Sequence, residues 1–141
     1  MSYSTATFQA MSILVYIHFK SEDGLAEYLS TRAISQNLGI AFPTAVKVLN
    51  KLNAAGLIVT KEGAKGGNLL ARPIAEMTVR DVFNAVEPNR PLFRVHQGIA
   101  VEADGYDDLD TLINNGVQCL VAAERAMEES LASVSLADLI P

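Results

Sequence analysis

Residues 31–73 read TRAISQNLGIAFPTAVKVLNKLNAAGLIVTKEGAKGGNLLARP, and this stretch decides the fold. Thr31 is placed to cap a short helix, Arg32 to Leu38, with Ala33, Ile34 and Leu38 on its inner face. Gly39 follows in the left-handed position that ends helices, and Ile40 plugs the core behind the turn. Pro43, at the start of the next segment, opens a longer helix that runs to about Ala55 and stops at Gly56. Ala45, Val48, Leu49 and Leu52 form its apolar stripe, whereas Thr44, Val46, Lys47, Asn50, Lys51 and Asn53 lie off it. A short helix bracing a longer one across a glycine turn is a helix-turn-helix. The longer helix offers a polar, basic face sized for the major groove of DNA.

Directly behind it, Leu57 to Lys61 reads as a strand, Gly63-Ala64-Lys65-Gly66-Gly67 as a turn, and Asn68 to Ala71 as a returning strand. A hairpin in this place is a wing. Its glycine tip lets backbone approach phosphates, and Lys61, Lys65 and Arg72 supply charge. Helical hairpins that merely pack share the first half of this pattern. The basic hairpin behind the second helix is what points to DNA.

Upstream, Ser4 or Thr5 caps a helix to about Lys20 whose apolar residues are spaced as in a buried helix. Ser21 to Gly24 is a turn, and Glu27 to Ser30 is at most a strand fragment. The whole chain has 141 residues, 15.1 kDa, enough for one domain with an appendage. Half of it is apolar and 19% charged, which is globular rather than disordered composition. The single cysteine excludes an internal disulfide and a cysteine-rich metal site within one chain. No Lys or Arg precedes Lys20, so the charged start of a secretory signal is missing. No apolar run reaches the roughly 18–20 residues of a membrane span. A soluble cytoplasmic protein without a membrane partner is expected. The net charge of −5 conceals an asymmetry. From 32 to 72 there are six basic residues and one acidic one; from 73 to 141 there are four basic and twelve acidic. A basic block in an acidic protein marks a local anion-binding face.

Downstream, Thr78 caps a helix from Val79 to about Val86, and residues 87–106 read as a long irregular connection. A long helix then spans about 107–133. Leu109, Ile113, Gly116, Leu120, Ala123 and Met127 alternate steps of four and three along it, a heptad-like seam suited to a second copy of the chain. The terminal Ser135 to Ile140 reads as a turn of helix that clamps that partner. The expected organisation is a winged helix-turn-helix domain at 1–86 and a connection with a dimerisation helix at 87–141. The fold class is mainly α with a small β-hairpin wing.

No nucleophile–base pair or metal-ligand set is visible, so an enzyme is the least supported class and no catalytic or metal residues are assigned. His18 lies among apolar residues. His96 stands in the connection with Arg90, Arg94, Glu102 and Asp104 near it in sequence, a place where a small-molecule effector could bind. Cys119 is expected to be a small buried hydrophobe.

Gly39-Ile40, the run LNKLNAAGLI from Leu49 to Ile58, Gly63, Gly66-Gly67, Leu69 to Pro73, and Met77-Thr78-Val79 through Ala85-Val86-Glu87 resemble the bacterial Rrf-two family of winged-helix transcriptional regulators. The closing SLADLI fits as well, so the similarity covers nearly the whole chain. The resemblance implies a dimer that binds operator DNA and usually represses. Cluster-binding members carry iron and sulfur on three cysteines between the winged domain and the long helix. Residues 87–118 contain no cysteine here. The chain is most similar to the cluster-free YwnA-like branch, and no cofactor is expected. The family's base-contacting positions fall on Pro43, Thr44, Val46 and Lys47. Glu62 stands where cluster-binding members often have an arginine at the start of the wing, with Lys65 nearby at the tip.

The sequence thus leads to a homodimeric winged-helix regulator of transcription on a pseudo-palindromic promoter site, in the manner of a repressor. Thr44, Lys47 and Asn50 are assigned to the groove, and Lys51, Lys61, Lys65 and Arg72 to phosphate. The alternatives are a winged-helix protein-interaction module without DNA selectivity and an effector sensor that uses the 87–106 connection.

Overall fold

The computed structural model describes residues 4–22, 28–89, 91–95 and 107–141. In chain order these form α1 (Ala6–Glu22), α2 (Thr31–Leu38), α3 (Phe42–Ala54), β1 (Ile58–Lys61), β2 (Gly67–Leu70), α4 (Val79–Val86) and α5 (Asp107–Ala132). Short 3-10 turns lie at Ile74–Glu76 and Ala137–Leu139. Two compact units result, one of residues 1–88 with 131–141, the other of residues 89–130.

The first unit is built around α1. Ala10, Ile13, Leu14 and Ile17 recur at helical spacing and are fully buried, and α1 packs against α2, α3 and α4. Its first turn is held by a carboxylate from far along the chain. Ser4 Oγ and Thr7 Oγ1 donate to Glu87 Oε1 at 2.9 and 3.0 Å, and Glu87 is only 7% exposed. A negative charge at a helix N-terminus also answers the helix dipole.

The helix-turn-helix forms as its local chemistry dictates, with one change of cap. Ser30, not Thr31, is the N-cap of α2, and its Oγ accepts from Ala33 N–H at 3.1 Å. Thr31 is the first helical residue. Gly39 takes φ 65°, and Ser35 Oγ donates to Ile40 O beyond it, so the turn is closed from both sides. In α3 the stripe Ala45, Val48, Leu49 and Leu52 is buried against α1, α2 and α4.

β1 and β2 pair antiparallel, with Ile58 opposite Leu70 and Lys61 opposite Gly67. The fragment before α2 joins them, because Leu29 bridges to Asn68. Gly67, at φ 145°, is required by this approach: a Cβ there would stand 2.5 Å from Leu29 O. Thr78 then caps α4 in a reciprocal box with Asp81, and Val79, Val82 and Val86 turn inward.

The C-terminus differs from the sequence expectation. Residues 131–141 belong to the winged unit. Val79 N–H donates to Val134 O at 2.9 Å and Leu136 N–H to Met77 O at 2.8 Å, and Leu136 is completely buried. The segment expected to clamp a partner completes its own chain's core, because an apolar Leu136 next to open β-type backbone at Met77 and Thr78 finds both burial and hydrogen bonds there.

In the second unit, Leu92 N–H donates to Glu124 Oε1 at 2.7 Å, tying residues 91–95 to α5. No side chain from 108 to 132 is buried. Among the described residues, no helix is long and apolar enough to cross a membrane.

Candidate nucleic-acid interface

The outward side of α3 follows from its inward side. At 3.6 residues per turn, Lys47 and Asn50 lie opposite the buried stripe, and both are exposed. Thr44 lies nearer the edge and is half-buried, as is Val46. Thr44, Lys47 and Asn50 therefore form one polar face, with a cation at its middle and hydrogen-bonding groups to either side. Such groups can read base edges.

Lys51, one turn after Lys47, is placed differently. It is half-buried, and its Nζ donates to Val86 O at 3.1 Å. The ammonium satisfies a carbonyl at the C-terminal end of α4, where a positive charge also suits the dipole. The sequence assigned Lys51 to phosphate; the fold engages it internally because it sits at the margin of the buried stripe, within reach of α4.

The hairpin carries two exposed lysines. Lys61 Nζ lies 5.7 Å from the centroid of the Tyr28 ring, a cation–π distance that gathers the side chain over the sheet. Lys65 is exposed in the 62–66 tip, next to exposed Glu62, Gly63 and Ala64. Arg72, at the hairpin's exit, is half-exposed. Its Nη2 stands 3.4 Å from Asp81 Oδ2, the same oxygen that accepts from Thr78 N–H at 2.9 Å. The guanidinium thus links the hairpin to the capping box of α4. Lys47, Lys61 and Lys65 are the expected cations that the fold leaves on its surface, and Arg72 presents part of its own.

Two residues of this region escaped the sequence reading. Tyr28 gave no signal, since nothing in the sequence places it beneath Lys61. Asn68 did give one: asparagine is disfavoured in strands, so its place in the returning strand marked a side-chain role.

On α5, Leu109, Ile113, Gly116, Leu120, Ala123 and Met127 fall within a stripe about 80° wide at ideal helical geometry. Ile113, Leu120 and Met127 are half-buried; Leu109, Gly116 and Ala123 are exposed. Leu112, on the flank of this stripe, is 67% exposed. Cys119 is exposed, not buried as expected, because the helix turns it away from the seam. Arg90, His96, Glu102 and Asp104, expected near an effector, lie outside the described residues; Arg94 is exposed.

Comparison with known proteins agrees with this geometry. The Rrf2 family, described as iron-dependent transcriptional regulators, matches residues 3–141. YwnA of Bacillus subtilis is 24% identical over 128 residues, covering 91% of this chain and 93% of that protein. YwgB of the same organism is 34% identical over 86 residues, covering 61% of this chain and about half, 53%, of YwgB. The structure of CymR, the global cysteine regulator of B. subtilis, superimposes with a TM-score of 0.63 at 20% identity, covering 99% of this chain and 95% of that one. That likeness shows the fold.

The iron dependence in the family's description can be tested on the donors present. An iron–sulfur cluster is held by several thiolates. This chain has one cysteine, exposed on α5. Among the described residues, no three His, Cys, Asp or Glu side chains come together as a metal-ligand group. The residues present do not fit a cluster held by a single chain. The match over almost the full sequence, with a winged helix-turn-helix that exposes Lys47 on α3 and carries a lysine-bearing hairpin, makes this chain a member of the Rrf2 family of transcriptional regulators.

Proposed function

We propose that the protein is a homodimeric, sequence-specific repressor that binds a pseudo-palindromic promoter site. The observation that carries this reading is the pairing of one exposed polar face on α3 with an exposed hairpin that holds Lys61 and Lys65. The helix enters the major groove, where Thr44, Lys47 and Asn50 face base edges. Lys61 and Lys65 contact phosphate from the wing, with Arg72 as a third, weaker contact already paired to Asp81. The seam on α5 binds a second copy, which supplies the second half-site. The protein uses no iron–sulfur cluster, since three thiolates from one chain are wanting, and it works in the cytoplasm. The alternative of an effector sensor places a small molecule in the 87–106 connection.

Fluorescence anisotropy against duplexes tiled from the gene's own upstream region tests this, with a scrambled duplex as control. One tile should bind about a hundredfold or more tighter than the scramble, with affinity falling steeply in salt. Equal, weak binding to every tile and to genome-selected DNA would reject base reading and favour a protein-interaction module.

A further inference from the structure

One amide ties the hairpin to the entrance of the helix-turn-helix. Asn68 is 1% exposed. Its Nδ2 donates to Leu29 O at 3.0 Å and to Thr31 Oγ1 at 3.3 Å, and its Oδ1 accepts from Thr60 Oγ1 at 3.1 Å. Its backbone N–H donates to Leu29 O at 2.7 Å, and its carbonyl accepts from Leu29 N–H at 2.9 Å. One residue thus joins both strands of the hairpin, the fragment ahead of α2, and the first residue of α2. Gly67 beside it permits the close approach.

The base of the hairpin is anchored in the core by Ile58, 2% exposed, with Leu70 packed against that core. Beyond Ile58, the residues Val59, Thr60 and Lys61 of β1 are exposed, so the outer part of this short hairpin buries little apolar surface of its own. A buried amide must keep its partners, so any swing of the hairpin leaves polar groups unpaired. Above the anchor at Ile58, the network therefore sets the angle of the outer wing relative to the helix-turn-helix.

We infer that Asn68 is a positioning residue for DNA binding: it sets the wing so that Lys61 and Lys65 reach phosphates while α3 lies in the groove. This rests on the DNA-binding reading above.

The test is the slope of log affinity against log salt, measured with the full chain on a random-sequence duplex. Asn68→Leu keeps the number of heavy atoms and the branching, and removes the side-chain bonds. For the dimer it should lower the magnitude of the slope by about 3.6, the loss of two phosphate contacts in each copy at roughly 0.9 each. A Lys61→Ala, Lys65→Ala double variant should lower it equally, and combining the three substitutions should add nothing. An unchanged slope in Asn68→Leu overturns the inference, even if affinity drops, because a smaller folded fraction scales affinity without changing slope. So does a slope that falls further when the lysines are removed from the Asn68→Leu protein. Should Asn68→Leu fail to fold, Thr60→Val carries the same test. It removes one bond from an exposed strand position and should flatten the slope in the same direction; a wild-type slope overturns the inference. Wild-type protein without salt-dependent binding refutes DNA binding itself. Wild-type binding with an unaltered variant slope refutes only the role of Asn68.

Discussion

Truncating Lys47 to alanine isolates base reading by α3, because the fold has no use for this side chain. Lys47 is exposed and lies opposite the stripe of Ala45, Val48, Leu49 and Leu52. Alanine is the best helix former, so stability should stay within about 0.5 kcal/mol of the wild type. Any change in affinity is then a change in binding. If Lys47 reads a base edge, its loss on the tightest upstream tile should be about 1–3 kcal/mol for each half-site, roughly 5- to 140-fold per half-site. On random duplex the loss should be smaller, so discrimination between the two duplexes shrinks. Anisotropy titrations of both duplexes at two salt concentrations measure this. An equal loss on both, with the salt slope reduced by about 1.8 (about 0.9 for each copy), would refute base reading and make Lys47 a phosphate contact. Lys65→Ala is the matched comparison. It stands in the exposed hairpin tip and should show that uniform loss and reduced slope.

Three further outcomes are expected. Leu136→Ala should destabilise the protein by about 2–5 kcal/mol in urea unfolding, since the side chain is completely buried; a loss under ~1 kcal/mol would mean the C-terminal segment does not complete the winged unit's core. Gly39→Ala should cost roughly 1–2 kcal/mol by thermal unfolding, from the φ of 65° alone, as an added Cβ meets nothing within 4 Å; a loss much above that would reveal packing at the turn. Leu120→Glu places a charge in the seam of α5, so light scattering should give the mass of one chain while the unfolding midpoint holds; a persistent dimer would reject this seam as the interface.

Much of the winged domain was legible because its signals are local. Gly39, Pro43, Gly56 and Thr78 each punctuate a helix through backbone geometry or a cap two or three residues away, and the apolar stripes follow helical period. The partial miss at the α2 cap has the same origin: Ser30 and Thr31 are adjacent and equally able to accept the bond, and only the backbone angle of Ser30 distinguishes them. What was not legible depends on contacts between residues distant in sequence. Lys51 reaches Val86 over 35 positions, Asn68 reaches Leu29 over 39, and Glu87 reaches Ser4 over 83. Charge counting credits every cation to the surface. Only the fold reveals that Lys51 satisfies a helix end and that Arg72 leans on Asp81.

The same redistribution explains how an acidic protein presents a DNA face. A chain of net charge −5 is repelled by a polyanion at long range. At physiological salt the Debye length is about 8 Å, so a phosphate beside the wing responds chiefly to charges in its own neighbourhood. On the proposed reading it meets the exposed Lys61 and Lys65, with Lys47 on α3, opposed within the tip by Glu62. The acidic residues of the chain lie mostly beyond position 72 and are screened from that contact to the extent that they are distant from it. The balance has a consequence for selectivity. Few phosphate contacts give weak non-specific binding and a shallow salt slope, so under the proposed reading tight binding comes from Thr44, Lys47 and Asn50 matching a particular sequence, and from two copies doing so together. Lys61 and Lys65 then act as orientation, not as the main source of affinity. Adding a cation at the tip, Glu62→Lys, should therefore tighten random duplex and operator by similar factors and leave their ratio nearly unchanged. A ratio that rises severalfold would show instead that the tip itself reads sequence.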